Sequence, residues 1–257
     1  MAILFGDIEG ISTLFKVCKQ LEITIDAVVP SKKLWESNNL AQIQNLVKFD
    51  HSISLIAPKT EAIFNFININ DIEIGIINSF DFILDRKIIE NTRIRVLNIH
   101  GGKLPEYRGA NVLNWAIING EEEIGITFHA VDNSIDTGPI IHELNLEIKE
   151  NDTALTLREK LCLEIEVQLV SVLPLYIANK MPLKKQKSAN ARYYNRRTPE
   201  DGLFDWSLSD RSIYNLIRAL VHPWPGARYF DKKGKLVVIK EFMSLEEVAN
   251  LRRIECG

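Results

Sequence analysis

Val96-Leu-Asn-Ile-His-Gly-Gly-Lys-Leu-Pro-Glu-Tyr-Arg-Gly-Ala110 continues an apolar run, Arg93 to Ile99, that has strand length and breaks at Gly101-Gly102 into a loop shaped by Pro105 and Gly109. Four runs of the same kind precede it: Ala2 to Phe5, Thr24 to Val29, Ser52 to Ile56 and Glu73 to Asn78, separated by segments of helical period. Near-continuous apolar strands alternating with helices are the pattern of a parallel sheet covered on both faces. The expected class is α/β. Turns are marked by Gly6, Gly10, Pro30 and Pro58-Lys59-Thr60, where Thr60 is the expected N-cap of the next helix. A second sheet portion, Ile124 to Val131 and Ile140 to Ile148, precedes a long helical stretch, Thr153 to Ala178, which closes a first domain, residues 1–179.

From Lys180 to Arg197 the composition shifts to seven Lys or Arg without an acidic residue, and the helical period stops. This segment reads as a solvated linker. Residues 180–257 are thus a linker and a small C-terminal α+β appendage. The appendage has a helix from Ser209 to about Val221, a turn at His222-Pro-Trp-Pro-Gly226, and strands Ala227 to Phe230 and Leu236 to Glu241 joined by Asp231-Lys-Lys-Gly234.

Composition narrows the function classes. A chain of 257 residues, 46% hydrophobic, can bury an enzyme-sized core. Its net charge of -3 supplies no global positive field for a polyanion, so nucleic acid is not an expected partner. Cys18, Cys162 and Cys256 are far apart and lack metal-binding spacing, so reduced thiols and no metal are expected. With no basic-then-apolar leader, and no apolar run near the roughly 18 residues of a spanning helix, the expectation is a cytoplasmic protein without a membrane partner.

Asn98 and His100 end a strand two residues apart, so they share a face and can act on one atom. The carboxyl end of a strand in an open α/β sheet is where ligands bind. A purely structural strand end has no need of Asn-x-His followed by Gly-Gly. Asp136, in the loop Asp132-Asn-Ser-Ile-Asp-Thr-Gly138, adds a carboxylate able to orient the ring and favour its cation.

These residues carry a family resemblance. Asn98-Ile-His100, Leu104-Pro-Glu-Tyr-Arg-Gly109, Asn114-Trp-Ala-Ile-Ile-Asn-Gly-Glu121, Gly125-Ile-Thr127 and Asp136-Thr-Gly138 resemble, in order, the folate-dependent formyltransferases. The resemblance implies a Rossmann-like open sheet without a dinucleotide fingerprint, and transfer of a formyl group from N10-formyltetrahydrofolate to an amine. It maps the family triad onto Asn98, His100 and Asp136. Gly101-Gly102-Lys103-Leu104-Pro105 departs from the Pro-Ser-Leu-Leu-Pro loop common in methionyl-tRNA formyltransferases and looks like the sugar-nucleotide N-formyltransferases. Arg196-Arg-Thr-Pro-Glu-Asp-Gly-Leu-Phe-Asp-Trp206 and His222-Pro-Trp-Pro-Gly-Ala227 are similar to enzymes that formylate amino sugars for surface polysaccharide such as O-antigen. The implied acceptor is a nucleotide-linked amino sugar such as a dTDP-amino-6-deoxyhexose, and a homodimer is an option.

The chemistry assigns roles. Asn98 can donate an amide N–H to the developing oxyanion. His100 is the general base or acid, and Asp136 holds it; either can take the first proton. In the family the region equivalent to Phe80, Asp81, Phe82, Ile83 and Leu84 lines the folate pocket, whereas the period-two pattern fits core residues equally well. Lys103 and Tyr107 belong to the substrate loop, Arg108 is either a diphosphate ligand or a loop anchor, and Trp224 either stacks on a sugar or base or packs the appendage. The rival readings are a methionyl-tRNA formyltransferase, a non-catalytic folate or sugar-nucleotide binding protein, and a hydrolase releasing formate from the same folate.

Overall fold

The computed structural model describes all residues except 38, 48–51, 92 and 257. In chain order the first part holds β1 (Ala2–Gly6), α1 (Ile8–Gln20), β2 (Ile25–Pro30), α2 (Lys32–Trp35), α3 (Leu40–Val47), β3 (Ser54–Leu55), α4 (Thr60–Ile69), β4 (Ile74–Asn78), α5 (Arg86–Ile89) and β5 (Arg95–His100). There follow β6 (Arg108–Gly109), α6 (Val112–Asn119), β7 (Glu123–Ala130), β8 (Ile140–Glu147), α7 (Ala154–Ile177) and β9 (Tyr193–Tyr194). The remaining elements are α8 (Asp210–Ala219), β10 (Ala227–Phe230), β11 (Leu236–Ile239) and α9 (Leu245–Cys256).

Among the described residues a seven-stranded sheet has the order β3-β2-β1-β4-β5-β7-β8. Its first five strands pair in parallel, as expected. Residue alternation splits their apolar side chains between two cores: Ile3, Phe5, Val29 and Val96 join Ile63 and Ile67 of α4 on one face. Ala2, Leu4, Leu97 and Ile99 join Leu14 of α1 and Leu157 and Leu169 of α7 on the other. Burial on both faces is why these runs are continuously apolar. The expected second sheet portion is instead the end of this same sheet, since β7 runs antiparallel to β5 and β8 antiparallel to β7. Much of β8 alternates between half-buried and exposed positions, which suits an antiparallel edge strand with a wet face.

Several boundaries differ from expectation. The Ser52 to Ile56 run narrows to the two-residue edge strand β3. Thr60 is the first helical residue of α4, and Lys59 stands at its N-cap without a side-chain bond. Elsewhere the caps are strong. Asp7 accepts from the Gly10 amide at 2.9 Å and also pairs with Arg158, which ties the start of α1 to α7. Arg95 donates to the carbonyls of Tyr176 (2.9 Å) and Ile177 (2.7 Å), satisfying the last turn of α7 from the neighbouring strand.

The C-terminal residues share the larger core. Phe204, Ile213, Tyr214, Ile217, Ala227 and Tyr229 belong to the same apolar cluster as α1 and α7. Asn114 donates to the Ala219 carbonyl at 2.6 Å, and the buried Arg218 donates to the carbonyls of Lys149 and Asp152 at 3.2 and 3.0 Å.

Candidate active site

Strand β5 brings Asn98 and His100 to one face near its carboxyl end, as their spacing predicts. The antiparallel register with β7 sets His129 opposite Asn98 and Thr127 opposite His100. His129 is 2% exposed, and its Nδ1 lies 3.0 Å from the Ala130 carbonyl, which can only accept. The Nδ1 nitrogen therefore carries the proton in the neutral ring, leaving Nε2 as an acceptor. The Asn98 amide donates to that Nε2 at 3.0 Å and, less closely, to Oδ1 of Asp136 at 3.4 Å.

Asp136 sits between β7 and β8 with φ of +53°, a left-handed conformation uncommon outside glycine. Its Oδ2 accepts the Gly109 N–H at 2.9 Å and lies 3.7 Å from Nδ1 of His100, while Oδ1 lies 3.5 Å from His129 Nε2. The structure thus brings together the three residues singled out in the sequence and adds a fourth, His129. The signal for His129 was present: with Thr127 it is a polar residue at period two inside an otherwise apolar strand. Thr127 secures the neighbouring loop, donating to the Gly102 carbonyl at 2.8 Å and accepting from the Leu104 amide at 3.3 Å.

The electrostatics separate acid from base. Burial pushes the His100 imidazole below its ordinary value; Asp136 and the Tyr107 carbonyl oppose that shift and His129 adds to it. Burial works to raise the Asp136 carboxyl, but His100 and His129 in their protonated forms, together with the Gly109 N–H, outweigh it and hold the pKa at about 2. The Gly109 amide acts whatever the charge on His100, so Asp136 is a carboxylate at neutral pH. His100 Nε2 lies 2.5 Å from the Tyr107 carbonyl and must donate to it. Nδ1 is then the nitrogen free to accept, and a proton arriving there lies beside Asp136.

The loop from Lys103 to Ala110 closes this corner. Lys103 is exposed, and its carbonyl accepts the Tyr107 N–H at 2.8 Å. Tyr107 stacks on Tyr194 with ring centroids 4.7 Å apart and donates its hydroxyl to Glu121 at 2.7 Å. Arg108 is held within the loop by groups of the protein itself. It is 6% exposed, and its guanidinium donates to Gln186 Oε1 at 3.2 and 2.7 Å and to the Tyr193 hydroxyl at 3.1 Å. Lys184 to Arg197 is likewise more than a solvated linker: β9 pairs with β6, and Lys184 bridges to Ile140.

The segment from Phe80 to Leu84 leaves the sheet at the end of β4, which neighbours β5 with Asn78 opposite Ile99. Leu84 is buried in the α4-side core and Phe80 and Phe82 pack against it, as period two predicts for core residues, whereas Ile83 is 71% exposed. The Asp81 carboxylate accepts the Lys32 and Lys33 amides at 2.5 and 3.1 Å, holding the start of α2. Trp224 is half-buried and, with Pro223, edges a groove of about 1020 Å³ between α1 and α7. Among the described residues no group of His, Cys, Asp and Glu could hold a metal ion, and no helix is long and apolar enough to cross a membrane.

Comparison with known proteins covers both parts of the chain. Residues 1–173 match the family model of formyl transferase and residues 196–250 that of the formyl transferase C-terminal domain. The bifunctional polymyxin resistance protein ArnA of Wigglesworthia glossinidia brevipalpis is 38% identical over 199 residues, 76% of this chain and 30% of that protein, so the chain spans less than a third of this relative. A sugar N-formyltransferase from Shewanella sp. shares the fold with a TM-score of 0.76 at 21% identity, covering 95% of this chain and 97% of that one. The N-formyltransferase of Helicobacter canadensis, solved with folinic acid and dTDP-3-aminofucose, shares it with a TM-score of 0.69 at 24% identity, covering 86% and 80% of the two chains. The first model alone takes in 173 of the 257 residues, including every residue of the Asn98, His100, His129 and Asp136 cluster, and the chain accordingly belongs to the formyl transferase family.

Proposed function

We propose that the protein transfers the formyl group of N10-formyltetrahydrofolate to the amine of a nucleotide-linked amino sugar, a dTDP-amino-6-deoxyhexose, for surface polysaccharide such as O-antigen, with residues 1–179 as the catalytic unit. The observation that carries the reading is the meeting of Asn98, His100 and Asp136 at the carboxyl end of β5, within 3.4 to 3.7 Å contacts of Asp136. A non-catalytic binder needs no such cluster. The dTDP-3-aminofucose seen with the Helicobacter canadensis enzyme supports the acceptor class.

The amine attacks the formyl carbon, the carbonyl oxygen becomes an oxyanion, and N10 leaves with a proton. Asn98 supplies the N–H for the oxyanion. Its 3.4 Å contact to Asp136 is the weaker of its two and is the one an oxyanion takes over, while His129 retains the other hydrogen. His100, kept neutral by burial, receives the amine proton on Nδ1, and Asp136 stabilises the resulting imidazolium. The same pair returns a proton to N10.

Phe80, Asp81, Phe82, Ile83 and Leu84 border the folate. The buried Asn78 at the same strand end fits that role, because its amide nitrogen has no acceptor among the described residues and a ligand carbonyl would satisfy it. Lys103, Tyr107 and Trp224 are assigned to the acceptor. The test is formyl transfer from N10-formyltetrahydrofolate to a panel of nucleotide-linked amino sugars, with methionyl-tRNA as the control acceptor. Turnover on an amino sugar is expected; turnover on the tRNA alone would reverse the assignment.

A further inference from the structure

We propose that Gln186 is a positioning residue for Asp136, reaching it from the segment between α7 and β9; the proposal rests on the reading that places Asp136 in the reaction. The Gln186 side-chain amide donates to the Asp136 carbonyl at 2.9 Å and to the Gly138 carbonyl at 2.7 Å. Its oxygen accepts two N–H groups of Arg108, at 3.2 and 2.7 Å. Both donors and both lone pairs of the side chain are therefore in use.

The two ends of this connection converge on one carboxylate. The residue after Arg108 is Gly109, whose N–H donates to Asp136 Oδ2 at 2.9 Å. Gln186 thus grips the Asp136 backbone from one side and, through Arg108, the loop that grips its side chain from the other. The grip is needed because Asp136 has a φ of +53°, which a non-glycine residue keeps only where its surroundings impose it. The segment carrying Gln186 is itself fixed: Lys184 exchanges hydrogen bonds with Ile140 at 2.8 Å each way, and Tyr193 and Tyr194 pair with Arg108 and Gly109. Gln186 is a polar residue outside both apolar cores.

His100 reports on the carboxylate without any acceptor substrate. Among the described residues the groups facing its ring are Asp136, His129 and the Tyr107 carbonyl, and of these only Asp136 is an anion. NMR titration of the imidazoles would be run on the wild type, Gln186→Met, Gln186→Glu, Asp136→Asn and the Gln186→Met/Asp136→Asn double variant, with thermal melting alongside. The His100 signal is the one of five histidines lost in His100→Asn. Asp136→Asn is expected to lower the His100 titration by about half a pH unit or more, because the anion favours the imidazolium. Gln186→Met should lower it in the same direction, and the double variant should go no lower than Asp136→Asn alone. Gln186→Glu keeps acceptors for Arg108 but turns an oxygen on two carbonyls, and should shift it likewise. A wild-type titration in folded Gln186→Met or Gln186→Glu overturns the proposal, and so does loss of the fold in both, which would make Gln186 a structural residue. Formyl transfer surviving in Asp136→Asn would instead sink the catalytic reading and leave the positioning result standing.

Discussion

Nε2 of His129 lies 3.0 Å from the amide nitrogen of Asn98, directly across the β5–β7 ladder. Because Nδ1 of His129 is committed to the Ala130 carbonyl, Nε2 of the neutral ring accepts, and it fixes which way the Asn98 amide points. His129→Phe keeps a ring of similar volume and removes the acceptor. We expect kcat to fall about ten- to a hundredfold, since a donor aimed at the oxyanion loses its orientation, with KM for both substrates within a few fold. Steady-state formyl transfer to the acceptor found in the panel measures this, and an unchanged kcat would remove His129 from the site.

Acid should destabilise the fold in two steps. His100 has a folded pKa lowered by burial, so the unfolded chain takes the proton first, near pH 6.5. Neutral His100 therefore contributes stability that is present above about pH 6.5 and lost as the pH falls. Asp136, held at about 2, contributes stability present above its unfolded value near 4 and lost as the pH falls toward 2. The Tm should be level from about pH 8 to 7 and decline below about 6.5. Relative to wild type, His100→Gln should flatten the first part of that decline and Asp136→Asn the part below about pH 4. A Tm that rises on acidification through pH 6 contradicts the burial of a neutral His100.

Gly101 and Gly102 look equivalent in the sequence and are not equivalent in the fold. A Cβ on Gly102 would lie 2.8 Å from the Tyr107 carbonyl oxygen and 2.9 Å from Nε2 of His100, so it would push apart the hydrogen bond that fixes the His100 ring. A Cβ on Gly101 meets nothing nearer than Leu161 Cδ1 at 3.9 Å. Gly102→Ala should cost about 1–3 kcal/mol of stability and most of the activity, and Gly101→Ala should be close to neutral in both. Calorimetry with parallel turnover assays decides it; equal effects would mean that the loop backbone is free to relax.

The sheet and the strand-end pair were legible because their causes are local. Val96, Asn98 and His100 announce a shared face by spacing alone, and Ile3, Phe5, Ala2 and Leu4 announce two-sided burial by having no polar alternation. His129 was visible as a polar break in an apolar strand, but its partner, Asn98, was not, because the pairing is fixed by an antiparallel register that no single strand encodes. Gln186 was hidden for a different reason. It sits in a lysine-rich stretch that reads as solvated, and its role comes from carbonyls 50 and 48 residues away. Arg108 was readable as a strong hydrogen-bonding group, but which acceptor claims it depends on where that stretch lies.

Arg108 decides between a substrate contact and an anchor. Its guanidinium spans Gln186 and Tyr193 from a buried position, with the planar fork using three nitrogens. A lysine retains the charge and loses the fork. If Arg108 bound a diphosphate, Arg108→Lys would raise KM for the sugar nucleotide and leave kcat near normal, because a point charge still attracts the anion. As an anchor it holds Gly109 against Asp136, so the substitution should lower kcat by about tenfold or more with little change in KM. The Tyr107–Tyr194 stack offers a control on the same loop: Tyr194→Leu should loosen the loop and lower kcat in the same sense without altering any charge. A KM effect confined to Arg108→Lys would return the residue to the substrate.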